Sequence, residues 1–315
     1  MKRLFMAVVC VAIVLSAAAQ RKAPKLDYVN ALDLTMIGKL CETTNPYHRM
    51  ETEKVEGISK GEAHLLKMTS GLAIAFRTNA KAIYVKARYG KNTIWNQYAP
   101  LTSTQGFNLF IKDAEGEWTW AASRAHKITP HPSRFDKMAE PLHIISGLYE
   151  GEKECLLYLP LFSELEGLEI GITPGADIEK MPNPFRYNIA VFGSSFTHGS
   201  CASGAGLTWP AFLSRSTDWH ICSFGMSGNS KLQPYLGRCS VRLRLMHSSA
   251  THSQTLISHR FRIVSAHLSR LYARVILIFL LSSSILSTVK AATSLLAMRS
   301  VRRIVFSSLR RFSLR

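Results

Sequence analysis

Seven residues, Gly193-Ser194-Ser195-Phe196-Thr197-His198-Gly199, follow directly on the apolar run 187–192. A short apolar strand that ends in a tight turn of small residues places a hydroxyl at the strand's carboxyl end. There the hydroxyl can reach a bound carbonyl, and nearby backbone N–H groups can receive the negative charge that develops as the carbonyl is attacked. Ser195 is therefore a candidate nucleophile for acyl transfer. Gly-Ser-Ser is equally at home as a plain turn or helix cap, so this turn alone does not decide for chemistry. A second small-residue loop, Phe224-Gly225-Met226-Ser227-Gly228-Asn229-Ser230, closes the next apolar run, 220–224. Two such loops on one sheet edge form an oxyanion hole, with the Gly228 N–H as a donor. A serine hydroxyl is a poor nucleophile without a base. His198 is the nearest candidate, although its place in the turn suits lining the loop better than accepting a proton. Cys201 reads as a small buried side chain rather than a thiol nucleophile.

The elements that must hold these loops fall into two blocks. From 64 to 175 strand signals dominate. Leu72, Ile74 and Phe76 alternate with smaller or polar residues, and Ile83, Val85 and Ala87 do the same after a turn at 79–81, a pattern that predicts a hairpin. Phe107, Leu109 and Ile111 repeat the period before a turn at 113–117 and the pair Trp118 and Trp120. Two further strands are expected at 156–161 and 168–172. Many short strands separated by Gly- and Pro-rich turns predict a β-sandwich, jelly-roll-like, over 25–178. A linker is expected at 174–185, marked by Pro174, Gly175, Pro182, Asn183 and Pro184. Beyond it, strand, small-residue loop, helix at 207–213 and strand at 220–224 make the opening of a parallel α/β domain over 186–235, whose ligand groups belong at the carboxyl ends of its strands.

With these residues in view, the run V-F-G-S-S-F-T-H-G-S-C-A-S at 191–203, then Trp209-Pro210 and 224–232, resembles the first two blocks of an SGNH (GDSL-type) hydrolase. The β-rich region, including G-L-A-I-A-F-R-T-N at 71–79 and Y-L-P-L at 158–161, resembles the N-terminal accessory domain of one secreted bacterial branch of that family. The resemblance covers roughly 25–236. It implies a flavodoxin-like hydrolase fold and a serine esterase acting on acyl esters, often acylated carbohydrates, with no cofactor. Ser195 matches its nucleophile, and the N–H groups of Ser195 and Gly228 match oxyanion donors. Ser194 stands where the first block commonly has Asp. The third block calls for an Asn, yet no Asn follows Asn229; the last calls for Asp-x-x-His, yet no Asp follows Asp218.

That deficit belongs to a larger anomaly. Of the +18 formal charge, the 97 residues 219–315 hold 15 Lys and Arg and no acid at all, while 1–218 carry 24 basic residues against 21 acidic ones. The basic excess is a tail, Ser/Arg-rich over 236–315, and not a nucleic-acid groove, since the aromatic interleaving of such a groove is almost absent. A shifted reading frame explains an acid-free tail joined abruptly to a balanced domain, and leaves the α/β domain incomplete and the esterase inactive. Its apolar run 275–289 is short for a membrane span and holds four serines, so membrane association through it is disfavoured. At the other end, Lys2 and Arg3, an apolar run 4–15 and Ala17-Ala18-Ala19 predict a secretory signal peptide, residues 1–19, and a periplasmic or secreted protein. The five cysteines after it show no metal-like spacing and no evident pairing. An alternative of a different class is a secreted carbohydrate-binding protein, in which Trp95, Trp118 or Trp120 stacks on sugar and the hydrolase portion is vestigial.

Overall fold

The computed structural model describes residues 25–93, 99–126, 137–231 and 235, together with the backbone of 276–279. The predicted signal region, Trp95 and most of the tail lie outside the described residues.

Two antiparallel sheets form the first block. β1 (Asp27–Asn30), β4 (Ala82–Thr93), β7 (Leu142–Ser146) and β9 (Ser163–Ile172) make a four-stranded sheet in the order β1-β9-β4-β7. The second sheet has the order β10-β3-β8-β5-β6, built from β3 (Ala73–Thr78), β5 (Gly106–Lys112), β6 (Trp118–Ala125), β8 (Lys153–Tyr158) and β10 (Ile178–Lys180), with β2 (Thr35–Ile37) also paired to β3. Ile74, Phe76, Leu109, Ile111 and Leu157 from this sheet meet Ile83, Val85, Leu168, Ile170 and Ile172 from the other in one buried core. Period-2 alternation on facing sheets is what a sandwich requires.

The second sheet is buried on both faces, which explains why β3, β5 and β8 read as near-continuous apolar runs. Its outer face, with Ala73, Ala75, Phe110, Leu156 and Tyr158, packs into another core shared with Ala190, Phe192, Cys222 and Phe224 of the α/β block. In that block β11 (Arg186–Gly193) and β12 (Trp219–Gly225) pair in parallel, Ile189 to Ile221 through Gly193 to Gly225. Helix α4 (Trp209–Thr217) connects them, after α1 (Lys60–Leu66), α2 (Leu101–Thr104) and the single turn α3 (Ser195–His198) earlier in the chain. Thr208 caps α4 through its hydroxyl, and Pro210 sits in the first turn where its missing N–H costs nothing. From the tail, β13 (Ile276–Phe279) adds a third parallel strand beside β11, so the sheet order is β12-β11-β13.

Two sequence expectations are corrected here, and one segment of the tail is placed. The strands β3 and β4 do not form a hairpin: β3 pairs with β2, β8 and β10, whereas β4 crosses to the other sheet and pairs with β7 and β9. The stretch 174–185 is not wholly linker, because β10 lies inside it and closes the edge of the second sheet on β3. Part of the apolar run 275–289 is strand beside β11, and among the described residues no helix is long and apolar enough to cross a membrane.

Candidate active site at the carboxyl ends of β11 and β12

Both candidate loops emerge from the same edge of the parallel sheet. After β11, Ser194 is extended and exposed, and the chain turns once as α3 before Gly199 ends it at φ +107. The Gly199 and Ser200 N–H groups both donate to the Ser195 carbonyl, at 2.9 and 2.8 Å. The positive φ and the contact of a hypothetical Cβ with Leu161 at 2.6 Å leave room only for glycine. At the end of β12, a Cβ on Gly225 would lie 2.1 Å from the His198 nitrogen. Glycine there lets the Ser195 turn rest directly on the neighbouring strand.

The two loops are tied to each other. The Met226 N–H donates to the Gly193 carbonyl at 2.8 Å, and the Ser227 N–H donates to His198 Nδ1 at 3.4 Å. The Ser200 and Ser227 hydroxyls lie 3.5 Å apart across the gap. Gly228, at φ +74, is exposed within the turn that the Asn229 N–H closes on the Met226 carbonyl at 3.0 Å. Ser195 is partly exposed. Neither its hydroxyl nor the Gly228 N–H has a hydrogen-bond partner among the described residues.

His198 is fully buried, and both ring nitrogens are taken. Nε2 donates to the Leu161 carbonyl at 2.8 Å, so Nδ1 is the acceptor for Ser227, and the ring stacks on Phe162 with centroids 4.3 Å apart. Burial, with the Arg49 charge behind it, holds its pKa well below the ordinary histidine value. His198 is a structural histidine that props the second loop, and not a substitute base. His220, the other histidine of the described α/β block, accepts from the Gly38 N–H through Nε2 at 2.7 Å and donates from Nδ1 to Asn188 Oδ1 at 2.6 Å. Its burial pulls the pKa down to about 4. Cys201, read from the sequence as buried, is instead exposed at φ +64, because the loop turns outward after Gly199.

One residue that sequence reasoning passed over supports the whole edge from below. Arg49 is 1% exposed and donates four hydrogen bonds to carbonyls: Leu65 (2.6 Å), Met68 (2.9 Å), Ser223 (3.0 Å) and Gly225 (3.1 Å). Desolvation lowers its pKa to about 9, which leaves it cationic at neutral pH. The guanidinium thus joins the sandwich block to the last residues of β12, directly under the Gly228 loop. Ser70 adds a second tie, its hydroxyl donating to the His198 carbonyl at 2.6 Å. Among the described residues no group of three His, Cys, Asp or Glu side chains is arranged to hold a metal ion.

Comparison with known proteins agrees with this architecture. Residues 26–178 match the family model for the N-terminus of SGNH-hydrolase-type esterases, and 186–242 match the GDSL-like lipase/acylhydrolase family. The chain belongs to the SGNH, or GDSL-type, esterase family. Among solved structures, a candidate GDSL-like lipase from Bacteroides ovatus ATCC 8483 is 32% identical, with a TM-score of 0.62 over 67% of this chain and 60% of its own. The salicylyl-acyltransferase SsfX3 from a tetracycline biosynthetic pathway shares the fold at 21% identity and a TM-score of 0.53, over 69% of this chain and 59% of its own. This SGNH-type chain therefore spans about 60% of the length of the solved relatives it matches. No curated protein matches it.

Proposed function

We propose that this chain carries the nucleophile and oxyanion portion of a secreted serine hydrolase for acyl esters, including acylated carbohydrates, and that its 315 residues lack the base needed for turnover. The observation that carries the reading is the juxtaposition at the sheet edge: a partly exposed Ser195 at the end of β11, and the loop after β12 that carries an exposed Gly228, with the two loops bound to each other. In the reaction Ser195 Oγ attacks the ester carbonyl while a base takes its proton. The N–H groups of Ser195 and Gly228 stabilise the oxyanion, and collapse expels the alcohol and leaves an acyl-serine that water then cleaves.

The missing part is the base. With His198 and His220 each held by two hydrogen bonds, and no Asp or Glu anywhere in 219–315, the α/β block has no Asp-x-x-His pair to supply. The α/β domain is on this reading an incomplete one whose later blocks have been replaced, through a shifted frame, by the basic tail over 236–315; a leader at 1–19 directs export. The coding DNA read in its other frames beyond about residue 235 is expected to yield an Asn-bearing block and an Asp-x-x-His block. A chain with 236–315 replaced by that translation is expected to hydrolyse acetyl or butyryl esters or acylated sugars in a Ser195-dependent way. A folded, restored chain that stays silent toward all of these would overturn the esterase reading.

A further inference from the structure

Far from the Ser195 turn in sequence, the sandwich carries an open surface depression of about 630 Å³ lined by residues between Ile111 and Glu154. Its size falls within the ordinary range for small-ligand sites, about 300–1,000 Å³. Two aromatic rings flank it. Trp120, from the edge strand β6, is 52% exposed, and Tyr149, from the loop before β8, is 56% exposed. Rings this open contribute little to the core, and exposed apolar surface gathered at a concavity marks a binding site more often than chance packing.

The Tyr149 side of the depression is held in place. Lys153 is 1% exposed, and its ammonium donates to the carbonyls of Tyr149 and Gly151 at 2.9 and 2.5 Å while lying 4.7 Å from the Tyr149 ring centroid. A buried cation that fastens the loop and sits against the ring gives a pre-organised platform, which lowers the ordering cost of binding. The polar lining is mostly acidic: Asp113, Glu152 and Glu154 against Lys112. Asp113 is engaged with the Glu117 N–H and the Thr119 hydroxyl, and Glu154 divides its oxygens between Arg77 at 2.9 Å and Lys112 at 3.2 Å. Glu152, with only a 3.8 Å contact to Arg77, has acceptor capacity to spare. Trp118, the other described tryptophan of this strand, instead packs against the second core with the Lys112 ammonium 5.6 Å from its ring.

Flat apolar platforms beside carboxylate acceptors suit a ligand that is apolar on its ring faces and rich in hydroxyl donors at its rim. An excess of carboxylates in the lining disfavours uronic or sulfated chains. We propose that the Trp120–Tyr149 depression binds a short stretch of an uncharged polysaccharide, as a site separate from the Ser195 turn. It needs no catalytic step, so a failure of the esterase reading leaves it standing.

The test is affinity electrophoresis of the full chain in gels containing soluble xylan, mixed-linkage β-glucan, galactomannan or polygalacturonate, repeated at 0.15 M and 0.5 M salt. Retardation is expected in at least one uncharged glycan, insensitive to salt, weakened tenfold or more by Trp120→Ala or Tyr149→Ala, partly kept by Trp120→Phe and unchanged by Ser195→Ala. Both alanine sites are exposed, so unchanged thermal melting will show that the fold survives. Absence of retardation in all three uncharged glycans, retardation that both alanine variants retain, or a Trp120-dependent preference for polygalacturonate would each overturn the proposal. Salt-sensitive retardation in polygalacturonate that Trp120→Ala leaves intact is the basic tail's contribution and is expected.

Discussion

At the scale of single residues, the two small-residue loops at one sheet edge were legible and the residues that support them were not. Ser195 and Gly228 stand out because small residues cluster after an apolar run, a local signal. Arg49 gave none, since its partners Ser223 and Gly225 lie 174 and 176 positions away and are backbone carbonyls that any residue type presents. Replacing it leaves buried carbonyls unpaired between the two blocks, so Arg49→Met is expected to destabilise the fold by about 3–5 kcal/mol. Chemical denaturation reads this directly, and a loss under about 1 kcal/mol would show that the clamp matters little. His220 makes a second prediction. Its folded-state pKa of about 4 lies below the ordinary histidine value of 6.5, so the unfolded chain binds more protons between those values and stability falls as pH drops through that window. At about 1.4 kcal/mol per unit the loss approaches roughly 3 kcal/mol at pH 4, with His198 adding a loss of the same sign. His220→Gln, which keeps an acceptor for the Gly38 N–H, is expected to flatten the slope; an unchanged pH profile would remove His220 from the account.

At the scale of elements, the strands were readable from alternation, and their partners were not. The 72–76 and 83–87 patterns locate β3 and β4 correctly, but a short turn between two alternating runs suits a sheet-to-sheet crossover as well as a hairpin. The deciding contacts come from β8 and β9, some 80 residues later. The small residues of β3, Ala73 and Ala75, signalled a second buried face, which alternation alone reads as the solvent side. Helix α1 was missed because its seven residues carry too short an apolar pattern, yet its start is written in Ser59-x-x-Glu62. The Ser59 hydroxyl accepts from the Glu62 N–H, and the Glu62 carboxylate accepts from the Ser59 N–H at 2.8 Å, a capping box. Ser59→Ala is expected to cost about 1 kcal/mol in a denaturation midpoint. No measurable change would mean that packing through Leu65 and Leu66 alone holds the helix.

At the scale of the whole molecule, the sequence suggested two blocks joined by a Pro-rich connection, and the structure fastens them into one body. The second core draws Phe110, Leu156 and Tyr158 from the sandwich and Phe192, Cys222 and Phe224 from the α/β block, while Arg49, Ser70 and Gly38 bond to residues of that block. Such an interface was illegible because both of its faces look like ordinary core within their own strands. The sandwich therefore acts as the floor of the Ser195–Gly228 edge and is not merely an appended module. Built this way, the edge holds Ser195 and Gly228 in place with no proton acceptor on the hydroxyl among the described residues. On the proposed reading the base is absent, and loss of the base in a serine hydrolase costs on the order of a million-fold in turnover. The decisive measurement compares hydrolysis of 4-nitrophenyl acetate and butyrate by the 315-residue chain and by its Ser195→Ala variant. Equal rates, indistinguishable from the buffer background, are the expected result, and turnover above background that Ser195→Ala abolishes would contradict the account.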